Sequence, residues 1–312
     1  MPITLEDVLD RIEKGESLVG EGLRGLCFDK LQVEKSGFVG CDFSTSHFMK
    51  AALRACRFDR CILDRCDLSY ADLEDSSFKA TRFHGAKLSF AGLAGCHFEQ
   101  SDLAGIEMEK SDLKGAAFRE SCIRESVLRD LDFSRTSDLQ QVDFSEGDLD
   151  SVLFTDLHAE GLSFRDGSLR LVSFLGSRLG DCNFEGCRLV RVNLDGVKGR
   201  ELVFRGARIS ETTFRFSELE GADFNAARFE DADLQDARLL SADLRACRFD
   251  AGCRLAAAVF DGSDLGGAVL DGVDLSRASL RQVNLRGASL VGARIDGCDL
   301  EGVDLEGARL QA

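Results

Sequence analysis

The residues best able to do chemistry are the twelve cysteines, three of which lie five residues apart, at Cys56, Cys61 and Cys66. Thiolates bind zinc and thiols form disulfides, so this spacing raises both possibilities. Zinc sites favour tighter pairs, in which two residues separate the cysteines. Ten of the twelve cysteines occupy the same position of a five-residue period, where the usual residue is small. We therefore expect small buried thiols that stay unpaired in a reducing cytosol.

Other chemistry-bearing residues form no recognisable constellation. The four histidines, His47, His84, His97 and His158, are dispersed, and none has a spacing to cysteine or carboxylate that is typical of a metal site. The sequence contains no nucleophile elbow, no P-loop and no dinucleotide-binding glycine motif. We expect no catalytic residue, no metal and no cofactor, and an enzyme is the least favoured function.

The elements that must position these side chains follow from a period of five. Large apolar residues, here called centres, recur at every fifth residue from Leu23 to Phe133, from Leu139 to Phe249 and from Leu255 to Leu310. A small residue usually stands two residues before each centre. One-residue insertions near Thr136 and Gly252 separate the three runs. This period is neither that of an α-helix nor that of a flat strand.

The repeats resemble the pentapeptide-repeat family, whose unit reads Ala-(Asp/Asn)-Leu followed by two variable residues. Four of the matching units are Ala71-Asp72-Leu73, Ala222-Asp223-Phe224, Ala232-Asp233-Leu234 and Ala242-Asp243-Leu244. The resemblance covers Leu23 to Leu310. It implies an all-β fold, a right-handed quadrilateral β-helix with four units in each coil. In such a coil the centre and the small residue before it point inward, and the other three residues point outward.

The phenylalanines support a coil of twenty residues. Two sets recur at intervals of twenty: Phe38, Phe58, Phe78, Phe98 and Phe118, and then Phe144, Phe164, Phe184, Phe204 and Phe224. A twenty-residue coil stacks each set into a column of rings, which burial and offset aromatic contact favour. Of the 23 phenylalanines, 21 are centres.

The predicted organisation is a cap followed by one β-helix. In residues 1–20, Thr4 is a candidate N-cap with Asp7 three residues later, and Gly15 suits a helix stop. A helix over 4–14 would cover the first coil. Residues 21–312 are predicted as a single pentapeptide-repeat β-helix with phase breaks near 134–138 and 250–254, which bulge outward while the coil continues.

Two centres are weak, because Ala159 and Gly199 stand where a large residue is expected. Leu162 and Leu202 follow three residues later, at positions that are usually small. We expect these leucines to fill the gaps as a packing compensation.

Outward apolar residues gather on one predicted side of the coil. Tyr70 and Phe90 lie twenty residues apart, each two residues after a centre, and we expect them to stack in solvent. Met49 and Leu171 occupy the same side. If the first break leaves the side unchanged, it also carries Arg188, Arg208, Arg228 and Arg248, each directly before a centre.

The arginine column has two interpretations. Like charges this close repel each other unless counter-charges intervene. Nearby acidic residues that could supply them are Glu211, Glu230, Asp231 and Asp250. Alternatively, the column is a slot for an acidic partner, with the aromatic pair as an apolar anchor.

Two functions compete besides an enzyme. The net charge is −16, from 55 acidic and 39 basic residues, which argues against direct binding of nucleic acid. The stretch GESLVGEGLRGL is similar to the start of pentapeptide regions in type VI secretion accessory proteins, which implies a non-catalytic scaffold or adaptor. The family also contains acidic rods, including quinolone-resistance proteins, that mimic DNA and occupy gyrase. The basic residues are spread along this chain, which favours the adaptor.

The expected partner is a protein. The leucine centres of the last coil also suggest an end-to-end homodimer through the C-terminal coil. No apolar run approaches a membrane span, and the acidic N-terminus is unlike a secretory signal, so a bacterial cytoplasmic location is expected and a secreted effector stays open.

Overall fold

The five-residue period produces short parallel strands, each centred on one buried apolar residue. A computed structural model of the chain describes residues 4–310. The chain divides into two compact units, Met1–Leu153 and Phe154–Ala312, and each is described by itself.

The first unit contains one α-helix, ten strands and one short 3₁₀ helix among its described residues. Helix α1 spans Leu5–Glu13, and the 3₁₀ helix spans Phe133–Arg135. The strands are β1 Leu18–Val19, β2 Gln32–Glu34, β3 Gly37–Val39, β4 Ala52–Arg54, β5 Arg57–Asp59, β6 Ser77–Lys79, β7 His97–Glu99, β8 Glu107–Glu109, β9 Val127–Arg129 and β10 Asp148–Asp150.

The second unit continues the same kind of coil with seven strands in its described part. These are β11 His158–Glu160, β12 Ser168–Arg170, β13 Arg178–Gly180, β14 Arg188–Val190, β15 Arg208–Ser210, β16 Arg228–Glu230 and β17 Arg248–Phe249. Strands β12, β14, β15, β16 and β17 form a parallel ladder in that order, and β11 pairs with β13.

The register within each unit confirms the twenty-residue coil. In the first unit Phe38 pairs with Phe58 and Phe58 pairs with Phe78. In the second unit Leu189 pairs with Ile209. Each unit is therefore built from coils of a right-handed quadrilateral β-helix, as the resemblance implied, and parallel neighbours in such a sheet lie about 4.8 Å apart.

Stacked phenylalanine rings fill the core, as predicted. The ring centroids of Phe38 and Phe58 are 4.7 Å apart, and the following steps to Phe78, Phe98 and Phe118 measure 5.0, 4.9 and 4.8 Å. In the second unit the steps from Phe164 through Phe184 and Phe204 to Phe224 measure 5.1, 4.8 and 4.7 Å. Phe144, the remaining predicted member, is fully buried in the first unit.

Helix α1 is one residue shorter at each end than the predicted 4–14, because Thr4 and Lys14 are its caps. The Thr4 hydroxyl accepts a hydrogen bond from the Asp7 amide, and the Asp7 carboxylate accepts one from the Thr4 amide, which completes a capping box. Gly15 takes a left-handed φ of +74° after the C-cap. The helix contacts β1, and its Val8 side chain is completely buried.

Both phase breaks lengthen one coil by a single residue. Ala117 pairs with Asp138 and Cys122 pairs with Asp143, an offset of 21 residues in each case. At the second break Asp233 pairs with Arg254, and the offset of twenty returns when Arg254 pairs with Asp274. The extra residue is thus absorbed locally and the coil continues.

Buried hydroxyls at the small inward position bridge neighbouring coils. The Ser101 hydroxyl accepts from the Thr81 amide at 3.2 Å and donates to the Phe78 carbonyl at 2.9 Å. Ser76 bridges the Cys56 amide and the Leu53 carbonyl in the same way. These groups would otherwise be backbone polar atoms without partners in an apolar core.

The weak centre at Gly199 is compensated as predicted. Leu202 is completely buried, and a Cβ atom added to Gly199 would stand 2.7 Å from the Leu202 Cδ1 atom and 2.7 Å from the Leu179 carbonyl oxygen. Leu162, beside the weak centre Ala159, is also completely buried. The leucine side chains therefore occupy the space that a larger centre would take.

Candidate protein-interaction surface

Tyr70 and Phe90 form an exposed stacked pair in the first unit, here called the aromatic pair. Each residue follows a buried centre by two positions, where the chain turns a corner with φ of +60°. Their ring centroids are 4.9 Å apart with an angle of 4° between the rings. Tyr70 is 51% exposed and Phe90 is 39% exposed. Bulky residues rarely adopt a positive φ, so this corner turns two large rings toward solvent at a conformational cost.

Two lysines cover the outer faces of the aromatic pair. The Lys50 Nζ atom lies 5.9 Å from the Tyr70 ring centroid, and the Lys110 Nζ atom lies 5.9 Å from the Phe90 centroid. These distances suit cation–π attraction. Because each ring face meets either the other ring or a lysine, the ring edges are what a partner would contact. The edges carry partial positive charge, and with the two ammonium groups they favour an acidic or carbonyl-rich partner surface.

Met49 is exposed beside the corner that Lys50 occupies, in the same unit as the aromatic pair. Leu171 lies in the second unit, exposed at a corner with φ of +55°. Both therefore point outward, as the sequence predicts.

The four predicted arginines form one column in the second unit. Arg188 pairs in register with Arg208, Arg208 with Arg228, and Arg228 with Arg248. All four are exposed. The structure thus brings Arg188, Arg208, Arg228 and Arg248 together as the arginine column.

The acidic residues considered as counter-charges of the arginine column are bound elsewhere. Within the described residues, no arginine of the column has a carboxylate within 4 Å or a side-chain hydrogen bond. Glu211 instead pairs with Arg191 at 2.8 Å, and Glu230 accepts from the Ser210 hydroxyl at 3.2 Å. The Asp250 carboxylate caps the turn at the second phase break by accepting from the Asp231 and Gly252 amides.

The reason is competition from other hydrogen-bond donors. Glu230 and Asp250 leave the same face of the strand as Arg228 and Arg248, about 6.6 Å farther along it, and their carboxylates accept from Ser210 and from the turn amides instead. Glu211 and Asp231 stand at corners, with φ of +49° and +51°. These acidic residues are therefore close to the arginines in sequence but form no ion pair with them.

An open pocket lies at the end of the arginine column. It has a volume of about 440 Å³ and is lined by Arg228, Phe229, Glu230, Arg248, Phe249, Asp250 and Val269. Val269 pairs in register with Arg248, so an apolar residue ends the column.

Phe216 is an exposed aromatic residue that sequence reasoning missed. It stands at a corner with φ of +57°, is 59% exposed, and its ring centroid lies 5.3 Å from the Arg215 guanidinium carbon. The available signal was its position, because Phe90 and Phe216 are the two phenylalanines that are not centres.

The closely spaced cysteines form neither a disulfide nor a metal cluster among the described residues. All twelve are free thiols, and Cys56, Cys61 and Cys66 are buried. Their thiols are also donors: the Cys66 Sγ atom lies 2.9 Å from the Phe43 carbonyl oxygen and the Cys96 Sγ atom lies 3.0 Å from that of Leu73. Burial raises the pKa of Cys66 and of Cys96 to about 12, so both stay protonated and unreactive near neutral pH.

Histidines and carboxylates form no metal cluster in the part of the chain that the structure describes. The His84 Nε2 atom lies 2.6 Å from an Asp102 carboxylate oxygen on the exposed surface. No helix between residues 4 and 310 is long and apolar enough to cross a bilayer.

The last coil of the second unit exposes its centres Ile295, Leu300, Leu305 and Leu310. The end-to-end homodimer expected there stays a prediction.

Solved structures match the chain at low identity and low TM-score. QnrB1, a plasmid-mediated fluoroquinolone resistance protein, is 21% identical over 67% of this chain and 90% of its own, with a TM-score of 0.36. HetL, involved in heterocyst differentiation regulation in Nostoc sp. strain PCC 7120, is 16% identical over 98% and 96%, with a TM-score of 0.19. The A-module of the Azotobacter vinelandii mannuronan C-5 epimerase AlgE4 is 9% identical over 98% and 95%, with a TM-score of 0.31. No curated protein sequence matches the chain.

Family models match most of the sequence. Residues 31–108 match the model described as a pentapeptide repeat region. The model of pentapeptide repeats in eight copies matches residues 91–130, 177–215, 214–250, 251–287 and 274–311. With the observed coil and its stacked core, these matches show that the chain belongs to the pentapeptide repeat family.

Proposed function

We propose that this protein is a non-catalytic scaffold that binds a protein partner through side chains on the outside of its β-helix. The observation that carries the proposal is the aromatic pair. Its two rings stack in solvent on neighbouring coils and form a contiguous exposed apolar patch, a feature that is typical of an interaction site. Aromatic side chains supply a large share of binding energy at protein interfaces.

The arginine column supports the same proposal in the second unit. Arginine is enriched at interfaces, and its guanidinium group binds carboxylates through two parallel hydrogen bonds. Four such groups without internal partners are available to an acidic surface. We therefore propose that the aromatic pair and the arginine column contact the partner, with Met49 and Leu171 as additional apolar contacts.

A DNA mimic that binds gyrase or another topoisomerase is the second candidate. The net charge of −16 favours it. A mimic, however, needs carboxylates that are free to replace phosphates. Many carboxylates on this surface are occupied, for example in the pairs of Arg82 with Asp64 and of Arg205 with Asp223, both at 2.6 Å. A type VI secretion role rests on the opening residues alone, and the scaffold proposal does not depend on it.

Affinity capture tests the scaffold proposal. The tagged native protein and a Tyr70→Ser/Phe90→Ser variant would be incubated with a bacterial lysate, and bound proteins quantified by mass spectrometry. We expect a partner that the native protein retains and the variant loses by about tenfold or more, since interface aromatics each contribute about 1–4 kcal/mol.

The matched control is Phe216→Ser, which removes an exposed aromatic residue from another corner. Loss of the partner in both variants would indicate nonspecific hydrophobic binding. Equal capture by the native protein and the Tyr70→Ser/Phe90→Ser variant would contradict the role of the aromatic pair. Recovery of topoisomerase subunits, released when carboxylates are neutralised, would favour the mimic.

A further inference from the structure

Many cationic side chains on this β-helix pair with a carboxylate on a neighbouring coil. Arg191 pairs with Glu211 at 2.8 Å, Lys198 with Glu218 at 2.8 Å, and Arg286 with Glu306 at 2.5 Å. In each pair the partners are twenty residues apart, so they are neighbours in the stack. Pairing of opposite charges on neighbouring coils is thus one way in which this surface neutralises itself.

The arginine column departs from this arrangement. The neighbours of Arg208, one coil before and one coil after, are Arg188 and Arg228, and the run continues to Arg248. Four like charges therefore stand about 4.8 Å apart along the stack. Such a ladder is destabilising by itself. It occurs in a chain with a net charge of −16, so excess basic composition does not explain it.

A strip of small residues runs beside the column. The corners two residues before the arginines are exposed and carry Gly186, Gly206, Ala226 and Ala246. On the other side of this strip Arg205 and Arg245 hold Asp223 and Asp243 at 2.6 and 2.5 Å. The Asp166 carboxylate of the preceding coil lies over Gly186, whereas nothing covers Gly206, and Ala226 and Ala246 carry only a methyl group. A partner can therefore lie close to the backbone beside the guanidinium groups of Arg208, Arg228 and Arg248.

The spacing of the column selects the shape of the partner. A carboxylate that bridges neighbouring guanidinium groups sits between them, so four arginines offer three such positions over about 9.6 Å. Acidic residues at i, i+3 and i+7 on one face of an α-helix span about 10.5 Å along its axis. Three acidic residues on one face of an extended strand span about 13 Å. The helical stripe matches the column more closely.

We infer that the arginine column, with the small-residue strip beside it, is a docking site for the acidic face of an α-helix from a protein partner. The helix lies parallel to the column and needs about three turns, which cover roughly 16 Å. Its carboxylates bridge successive guanidinium groups, and its backbone cylinder rests on the strip. This inference rests on the proposed scaffold function and names the partner element that the second unit recognises.

Synthetic peptides test the inference without the natural partner. The first is a fluorescein-labelled, alanine-rich helix of about 18 residues with glutamates at i, i+3, i+7 and i+11. The second has the same composition with the glutamates distributed around the helix. The third alternates threonine and glutamate to favour a strand, with the same number of glutamates. Fluorescence anisotropy at low ionic strength would measure each affinity, and a salt titration would confirm the electrostatic contribution.

We expect the striped helix to bind the native protein at least about tenfold more tightly than either other peptide. The Arg208→Glu/Arg228→Glu variant should lose this preference. The matched control is Arg178→Glu/Arg238→Glu, which makes the same change of charge at the same position of the repeat. There Lys198 and Glu218 separate the two arginines, so no ladder exists, and the control should bind as the native protein does.

Equal affinity for the three peptides, equal losses in both variants, or no binding to the native protein would each overturn the inference. Tighter binding of inorganic polyphosphate or duplex DNA than of the striped helix, lost in the Arg208→Glu/Arg228→Glu variant, would also overturn it in favour of a general polyanion site. Circular dichroism would show that the variants keep the fold. The scaffold proposal is judged separately, because partner capture through the aromatic pair can succeed when peptide binding fails.

Discussion

At the scale of single residues, the small inward position of the repeat has two structural roles. The small inward residue lets the coil close, and where it is serine, threonine or cysteine it also satisfies backbone groups of the preceding coil. The five-residue period predicted that most of the cysteines occupy the small inward position of the repeat. It did not predict their hydrogen bonds, because those depend on a carbonyl 23 residues earlier that only the folded coil brings near.

Ser101→Ala tests the bridging hydroxyl. Its removal leaves the buried Thr81 amide and Phe78 carbonyl without this partner, and we expect a loss of about 1–3 kcal/mol in the free energy of unfolding. Ser89→Ala, at a half-buried outward position, is the control and should change stability by less than about 0.5 kcal/mol. Chemical denaturation of both variants would measure the difference. Similar values for the two would refute the bridging role.

At the scale of the coil, side-chain volume is shared between positions of one repeat. Gly199 leaves the centre position empty, and Leu202, three residues later, supplies the missing volume. The sequence was sufficient to predict this pairing, since one position was too small and a nearby one too large. It could not predict the charge pairing on the outer surface, because outward side chains choose among several neighbours at similar distances.

Leu202→Ala should therefore open a cavity and cost about 2–5 kcal/mol of stability. Leu175→Ala removes an exposed leucine of the same unit and should cost much less. The double variant Gly199→Leu/Leu202→Ala returns the repeat to its usual pattern and should recover part of the loss. Thermal or denaturant unfolding of these variants and of Gly199→Leu alone measures this coupling. If the double variant is less stable than the sum of the single effects, the idea of shared volume fails.

At the scale of the whole molecule, the fold was predictable and the function was only partly so. A period of five with phenylalanines at intervals of twenty implies the coil, and the observed register confirms it within each unit. The division after Leu153 could not be predicted, because the repeat continues through it without a change of period. Partner identity could not be predicted either, since the repeat constrains inward residues and leaves outward ones free.

The outward residues are consequently where function must be sought in this family member. Two features that depart from a mixed polar surface are the stacked aromatic pair and the arginine column, whose guanidinium groups have no carboxylate within 4 Å among the described residues. Each was located by its repeat position in the sequence. The structure adds the lysines that lie over the ring faces and the acidic side chains that bind elsewhere.

Site-specific photo-crosslinking from the aromatic pair tests most directly whether this corner binds a protein partner. A photoreactive phenylalanine derivative would replace Tyr70, and in a second protein it would replace Arg60, an exposed corner residue on a different column of the same unit. After irradiation in a bacterial lysate, we predict one dominant crosslinked protein from position 70, absent from position 60 and competed by excess native protein. Identical crosslinking from both positions, or none from position 70, would contradict the claim that this corner binds a partner.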